Sequence, residues 1–220
     1  MKILFNDVAH EALDAPKDII KPGLTGIYSI YEPIVFHFGK EMTINSIGVG
    51  NLKGANTFSV KIGDDVENFT YDGSGLYLLS KTYKTTKVTF LTAGTSVGRI
   101  GLGVAVNIPT SISKDFAYAS TAEPRLTLSG TVVLGLGGYT YRRVGVDSRY
   151  KLNREAIEEI YKGRKRISEG YPFFINFEDE AYKLPFTKLY ANDLNQQDMS
   201  FEGGVRDFRY SRRFEFEERF

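Results

Sequence analysis

Short runs of apolar or alternating residues, each bounded by turn-forming residues, constrain the fold of this chain more than any other feature. Strands of this length and even spacing are typical of an antiparallel sandwich. We predict strands at Ile34–Phe38, Thr43–Val49, Thr57–Ile62, Leu76–Ser80 and Lys87–Leu91, with one long strand at Val97–Pro109 completing the sheet pair. These elements indicate a mainly β, jelly-roll-like sandwich over residues 1–125.

A glycine-rich segment, "SGTVVLGLGGYTYRRVGVD" from Ser129 to Asp147, opens a second part of the chain. A dinucleotide-binding loop requires a helix directly after its glycines, because the helix N-terminus binds the pyrophosphate. The residues after Gly138 instead alternate between apolar and polar, with the period of a strand. We therefore predict two strands joined at Leu136–Gly138, and no bound cofactor. The "GRIGLG" motif within Val97–Pro109 also precedes an alternating stretch and is interpreted in the same way.

One short helix is predicted near residues 154–162, in "LNREAIEEIYKG". Asn153 is the candidate N-cap, and Gly163 stands where a C′ glycine is expected. The predicted apolar face is formed by Ala156, Ile157, Ile160 and Tyr161. The basic residues Lys162 and Arg164–Arg166 are expected to bond the last carbonyls of the helix. Residues 126–220 are thus expected to form a second, β-rich segment that carries this helix.

The final residues, "VRDFRYSRRFEFEERF", give the clearest strand pattern in the chain. One face is aromatic and the other combines both charge signs, as alternation along a strand requires. Leaving so many aromatic rings in water is unfavourable, so we predict that this strand docks on its own sheet or on a neighbouring copy. The predicted assembly interface comprises Phe208, Arg209, Tyr210, Arg213, Phe214, Phe216 and Phe220.

Composition narrows the possible functions. The chain has 28 basic and 27 acidic side chains, so no overall field attracts nucleic acid or an anionic membrane. It has no cysteine and two histidines, His10 and His37, in unrelated settings. No apolar run approaches the length of a membrane span. We expect no catalytic residues, no metal site and no enzymatic activity.

Three further polar stretches are interpreted as turns or loops. Asp72–Gly75 holds a serine between glycines but lacks the spacing of a nucleophile elbow. Glu178–Glu180 places consecutive acids on both faces of a strand, which is usual for a solvated turn. Asn192–Asp198 resembles the beginning of a calcium loop but has Asp198 where the loop glycine is needed.

The order of several segments resembles a group of tailed-bacteriophage virion proteins encoded among tail genes. These segments are "ILFND", "IVFHFGKEMTINSIGVGNL", "GRIGLGVAV", "SGTVVLGLGGYTYRR" and the arginine- and aromatic-rich end. The N-terminal part of those proteins is similar to discoidin-like (galactose-binding-like) jelly-roll sandwiches. The resemblance implies a structural component of a phage tail, at the tail tip or baseplate, made in the host cytoplasm and located in the virion.

Two functions from different classes follow. The first is a structural protein that assembles with copies of itself and with other virion tail proteins. The alternative is a carbohydrate-binding sandwich used in attachment to a host or glycan. The support for the alternative is the set of tyrosines expected on loops, Tyr28, Tyr31 and Tyr71, because an aromatic face suits the apolar C–H patches of a sugar.

Overall fold

The computed structural model describes residues 1–20, 28–92, 94–108, 111–120, 124–126, 132–134, 140–151, 157–163, 171–177, 188–193, 201–204 and 207–218. All paired strands in this part of the chain are antiparallel. The mainly β class predicted from the sequence, an antiparallel sandwich with a second β-rich segment and a short helix, is confirmed.

The strands are numbered in chain order. They are β1 (Lys2–Leu4), β2 (Tyr28–Ile30), β3 (Ile34–Gly50), β4 (Thr57–Ile62), β5 (Asp65–Thr70), β6 (Gly75–Phe90), β7 (Thr95–Val97), β8 (Arg99–Gly103), β9 (Val106–Asn107), β10 (Ser111–Ser120), β11 (Pro124–Leu126), β12 (Val132–Leu134), β13 (Thr140–Lys151), β14 (Phe173–Asn176), β15 (Lys188–Asp193), β16 (Phe201–Gly204) and β17 (Asp207–Glu218). A 3-10 turn covers Ala9–Glu11, and the helices are α1 (Lys17–Ile20) and α2, which is described at residues 157–163.

Two large sheets organise the described strands. One has five strands in the order β5-β4-β6-β3-β8. The other has eight strands, in the order β10-β13-β17-β15-β14-β1-β9 with β16 beside β17. Two small pairs, β2-β7 and β11-β12, complete the structure described. Since β1, β9 and β10 precede residue 125, the eight-stranded sheet takes strands from both of the expected segments.

The expected boundary between residues 125 and 126 falls inside β11. Strand pairing also crosses this boundary, because β1 from the first segment pairs with β14 from the second. Division of the sequence into two segments therefore does not coincide with a division between sheets. The division of the chain at residue 125 stays a prediction.

The predicted strands of the first sheet agree with the structure in position and differ in length. Thr57–Ile62 is a strand with the predicted bounds. The separate runs at Ile34–Phe38 and Thr43–Val49 lie in one strand, β3, whose pairing with β6 is irregular between His37 and Met42. Leu76–Ser80 likewise lies in β6 together with most of the run at Lys87–Leu91. Irregular pairing allows one long strand to bend where the sequence pattern breaks.

The prediction of a single long strand at Val97–Pro109 is wrong. Its residues belong to three strands, and β8 and β9 lie in different sheets. The chain leaves the first sheet at Gly103, where a Cβ atom would lie 2.4 Å from the carbonyl oxygen of Asn6. That close backbone approach requires glycine and allows the chain to cross from one sheet to the other.

Side chains close the free edge of the five-stranded sheet. The Glu67 carboxylate on β5 accepts hydrogen bonds from the backbone N–H of Ser80 and from the Tyr83 hydroxyl, at 2.9 Å and 2.8 Å. The Asp65 carboxylate lies 2.8 Å from Lys81 Nζ, and this ammonium lowers the pKa of Asp65. These contacts link β5 to the first half of β6, so the sheet curls toward a closed shape.

A small apolar cluster joins the two large sheets. It contains Leu4, Leu76, Phe174 and Tyr190, all 2 % exposed or less. The Phe174 ring lies against Gly48 and Gly101, which are opposite each other on β3 and β8. A Cβ atom on Gly48 would lie 2.2 Å from the Phe174 ring, so the close approach of this ring to β3 requires a position without a side chain.

Substitution of Gly48 by alanine should destabilise the protein because its methyl group cannot fit beneath Phe174. We expect a loss of about 1–3 kcal/mol in the free energy of unfolding, the usual effect of overpacking. Gly39→Ala on the same strand is the matched control, since a Cβ atom there meets nothing within 4 Å. Urea denaturation measures the free energy of unfolding of both variants. Equal stability of the two variants would contradict this packing arrangement.

Candidate functional site

The C-terminal strand predicted as an assembly interface is β17, an interior strand of the eight-stranded sheet. It pairs with β13 on one side and with β15 and β16 on the other. Phe214 and Phe216 are each 1 % exposed, and their rings stack with centroids 5.4 Å apart. Both rings belong to the core that contains Val144 and Val146. Phe214 and Phe216, the described part of the aromatic face, therefore pack on this chain's own sheet, which was one of the two predicted outcomes.

The other predicted interface residues have backbone positions in the same strand. Phe208 pairs with Gly203, and Arg209, Tyr210 and Arg213 pair with residues of β13. Their side chains, and Phe220 entirely, lie outside the described residues. A role for them in assembly stays a prediction, whereas Phe214 and Phe216 already have a role inside the chain.

Charged side chains at the end of β17 pair with β13. Glu218 binds the guanidinium of Arg142, and Arg143 Nη2 lies 2.6 Å from Glu217 Oε2. The Glu217 carboxylate raises the pKa of Arg143. These contacts form a cross-strand ladder within one chain. The mixed charges on this part of the strand thus contribute to registering β17 against β13.

Helix α2 packs on the outer face of the eight-stranded sheet through Ile160, which is 1 % exposed. Tyr161 was predicted on this apolar face but is 58 % exposed. Gly163 was predicted beyond the helix end, yet it is helical, and a Cβ atom there would lie 2.6 Å from the Phe5 carbonyl oxygen. This glycine is therefore explained by close packing rather than by a C′ turn.

Lys162 on α2 was predicted to bond the last carbonyls of the helix. Its described contact is a different one. Its ammonium instead lies 2.5 Å from Glu159 Oε1, one turn earlier. Other predicted features fall outside the described residues: the N-cap Asn153, the glycines Gly137 and Gly138, the basic residues Arg164–Arg166, the acids Glu178–Glu180 and positions 194–198.

The two histidines lie in separate places. His10 Nδ1 lies 2.7 Å from the Asp7 carbonyl oxygen, and His37 Nδ1 lies 2.9 Å from Asp14 Oδ2. Within the described ranges, no group of three or more histidine and acidic side chains is arranged to hold a metal ion. None of the helices in that same part of the chain has the length and apolarity to cross a membrane.

The turn at Asp72–Gly75 anchors one sheet to the other. The Asp72 carboxylate lies 2.9 Å from Nζ of Lys188, a β15 side chain that is only 6 % exposed. Lys188 also stands over the Tyr77 ring, 4.7 Å from its centroid. Burial and the Asp72 charge raise the pKa of Tyr77 well above its usual range, so its hydroxyl remains protonated and donates within the turn. The Ser74 hydroxyl accepts from Asn51 N–H.

A buried ion pair holds the N-terminal segment against β8. Arg99 is 1 % exposed, and its Nη2 lies 2.5 Å from Asp7 Oδ2. The other carboxylate oxygen of Asp7 accepts from the N–H groups of Ala9 and Leu102. Buried charges are candidates for chemistry, but Asp7 and Arg99 pair with each other and with backbone groups, and Arg99 Nε is the one guanidinium nitrogen that has no hydrogen-bond partner among the described residues. Sequence reasoning missed this pair; an arginine inside the apolar run "GRIGLG" is a signal that a carboxylate partner is needed.

Substitution of Asp7 by asparagine should leave the Arg99 charge buried without its counter-ion. We expect a loss of about 3 kcal/mol or more in the free energy of unfolding, measured by urea denaturation. Asp65→Asn, which removes an exposed ion pair, is the control, and its free energy of unfolding should remain close to that of the unsubstituted protein. The double variant Asp7→Asn/Arg99→Met should recover part of the loss. An unchanged stability of Asp7→Asn would show that the pair is dispensable.

The described part of the chain includes two clefts that are open to solvent. The larger, of about 870 Å³, lies between residues Asn6–Glu11, the middle of β3 and helix α2. Two ion pairs lie in its lining, Lys40 with Glu11 at 2.9 Å and Lys162 with Glu159 at 2.5 Å. The smaller, of about 450 Å³, lies beside β2 and is lined by Asp14, Tyr28, Tyr31, Glu32 and His37.

The three tyrosines predicted on loops have different environments. Tyr31 is 85 % exposed, whereas Tyr28 and Tyr71 are half-buried. The Tyr71 hydroxyl accepts a hydrogen bond from Leu52 N–H, which gives that residue a structural role. Tyr28 and Tyr31 both line the smaller cleft. The structure therefore brings two of the three tyrosines together.

No protein family, curated protein or solved structure matches this chain.

Proposed function

We propose that the chain is a structural subunit of a bacteriophage tail, at the tail tip or baseplate, without catalytic activity. It assembles with copies of itself and with other tail proteins, and it resides in the virion after synthesis in the host cytoplasm. The order of sequence segments described above supports the assignment to a tail. The geometry of the eight-stranded sheet supports assembly.

The observation that carries the assembly proposal is the position of β10. This strand has 10 residues, and it lies at the end of the eight-stranded sheet among the described strands, paired with β13 alone. A long edge strand presents backbone N–H and C=O groups that can pair with a strand from another chain. Addition of a partner strand at β10 would extend a sheet that already has eight strands.

The interior of the chain also suits a structural role. The buried ionisable groups Asp7, Arg99 and Lys188 all pair with groups of the protein itself. Both large sheets are tied together by apolar packing and by the contact between Lys188 and Asp72. Internal pairing of this kind stabilises the contact between the sheets, which suits a subunit that bears load between neighbours.

Substitution of Ala117 by glutamate tests the proposed assembly edge. Ala117 is exposed on β10 and lies opposite Arg143, so a glutamate there has a favourable neighbour within the chain and should permit folding. Across a junction with another chain, the added charge is unfavourable. We expect the unsubstituted chain to form oligomers in sedimentation velocity and Ala117→Glu to associate at least about tenfold more weakly.

Thr86→Glu is the matched control, because Thr86 is an exposed strand residue on the other sheet. It should assemble as the unsubstituted protein does. A chain that is monomeric at all concentrations, or an Ala117→Glu variant that assembles normally, would contradict assembly through β10.

For the tail assignment, antibodies against the chain should label one end of the tail in electron micrographs of the source virions. Labelling of capsids alone would contradict it.

A further inference from the structure

We propose that the smaller cleft, beside the turn between β2 and β3, binds a neutral sugar, with Tyr31 as the platform on which the sugar ring stacks. This inference is independent of the proposed assembly function. Sugar binding at the cleft and assembly through β10 use different sheets and different residues. Either can fail in experiment while the other holds.

The first support is the exposure of Tyr31. It is 85 % exposed, the largest exposed fraction of the bulky apolar and aromatic side chains in the described part of the chain. An aromatic ring exposed to this degree gains nothing from its own fold. The ring instead offers a flat apolar face, which matches the C–H face of a pyranose.

The second support is that the backbone holding Tyr31 is rigid. Ile30 and Ile34, on either side of the turn, are 1 % and 4 % exposed and lie in the core. The Ile30 carbonyl accepts from Gly94 N–H at 2.8 Å, and β2 pairs with β7. Pro33 restricts the conformation of Glu32 before it. A platform that is already in place loses little conformational entropy when a ligand binds.

The third support is the set of polar groups around the platform. Asp14 and Glu32 line the cleft and supply carboxylate oxygens, which accept strong hydrogen bonds from sugar hydroxyls. His37 lines the same cleft with its Nδ1 2.9 Å from Asp14 Oδ2, so that contact orients the imidazole ring. Its Nε2 can then donate to or accept from a hydroxyl group. The apolar face of Tyr31 and the polar groups beside it together match the C–H face and the hydroxyl groups of a sugar ring.

The charge of the cleft selects among sugars. Two carboxylates line it, and the basic side chain beside Asp14 is the imidazole of His37 rather than a lysine or arginine. Anionic sugars would place their carboxylate or sulfate near these acids, at an electrostatic cost. We therefore assign the cleft to neutral hexoses or N-acetylhexosamines. Its volume of about 450 Å³ is sufficient for one or two sugar residues.

Nuclear magnetic resonance of the full-length chain labelled at tyrosine tests the proposal. The probes are the methyl glycosides of glucose, galactose, mannose and N-acetylglucosamine, each titrated into the millimolar range. We expect at least one glycoside to shift the resonances of Tyr31 and Tyr28, while Tyr161 on α2 remains unchanged. The methyl glycoside of N-acetylneuraminic acid should bind more weakly than that neutral sugar.

Variants separate a sugar platform from a nonspecific surface effect. Tyr31→Ala should weaken binding of the same glycoside about tenfold, the loss expected for one aromatic contact. Glu32→Gln should weaken it to a smaller degree. The matched control is Tyr161→Ala, which also removes an exposed tyrosine and should bind as the unsubstituted chain does.

The proposal is overturned by any of three results. In the first, none of the four glycosides shifts the resonances of Tyr31. In the second, Tyr31→Ala binds the glycoside as tightly as the unsubstituted chain does. In the third, an arginine-rich peptide displaces the glycoside and binds the cleft more tightly, which would make the cleft a docking site for a basic segment of a protein. Tyr31 is exposed, so its substitution leaves the fold intact and a loss of binding is interpretable.

Discussion

The contact between the Phe174 ring and two facing glycines is the constraint on which the rest of the structure depends. Gly48 and Gly101 are opposite each other on neighbouring strands, and Phe174 occupies the space that their side chains would fill. A third glycine, Gly75, allows β15 to approach β6, since a Cβ atom there would lie 2.7 Å from Leu189 N. Sheets normally pack about 10 Å apart. Glycines facing an aromatic ring let these two sheets meet closely over a small area.

Local alternation in the sequence was sufficient to predict the mainly β class and many strand positions. The strand at Thr57–Ile62 and the burial of Phe214 and Phe216 follow from period-2 patterning alone. What local patterns could not give is which sheet a strand joins. Val97–Pro109 is continuous in pattern but is divided between sheets at Gly103, because the approach of the Asn6 carbonyl comes from a distant part of the chain.

The candidate sites show the same limit. Exposed tyrosines were predicted as a group, but only the fold shows that Tyr28 and Tyr31 share a cleft with Asp14 and His37 while Tyr71 serves the interior. Tyr28, Tyr31 and His37 are close to one another along the chain, whereas Asp14 comes from a separate segment, so the sequence carries no signal that Asp14 lies beside them. The predicted interface strand was located correctly as a strand, and Phe214 and Phe216 on its aromatic face belong to the core of the chain itself. A role in assembly for the other predicted residues of this strand stays a prediction, and the surface that we propose for assembly is the edge strand β10.

The central claim is that the two sheets form one cooperative unit, as the proposed role of a load-bearing subunit requires. Native-state hydrogen exchange in increasing denaturant measures this most directly. The account predicts that the amides of Ile3 and Ile175, in the eight-stranded sheet, exchange through the same global unfolding as those of Ile47 and Leu102 in the other. Exchange of Ile3 and Ile175 at a distinctly lower free energy, with the five-stranded sheet still protected, would contradict it.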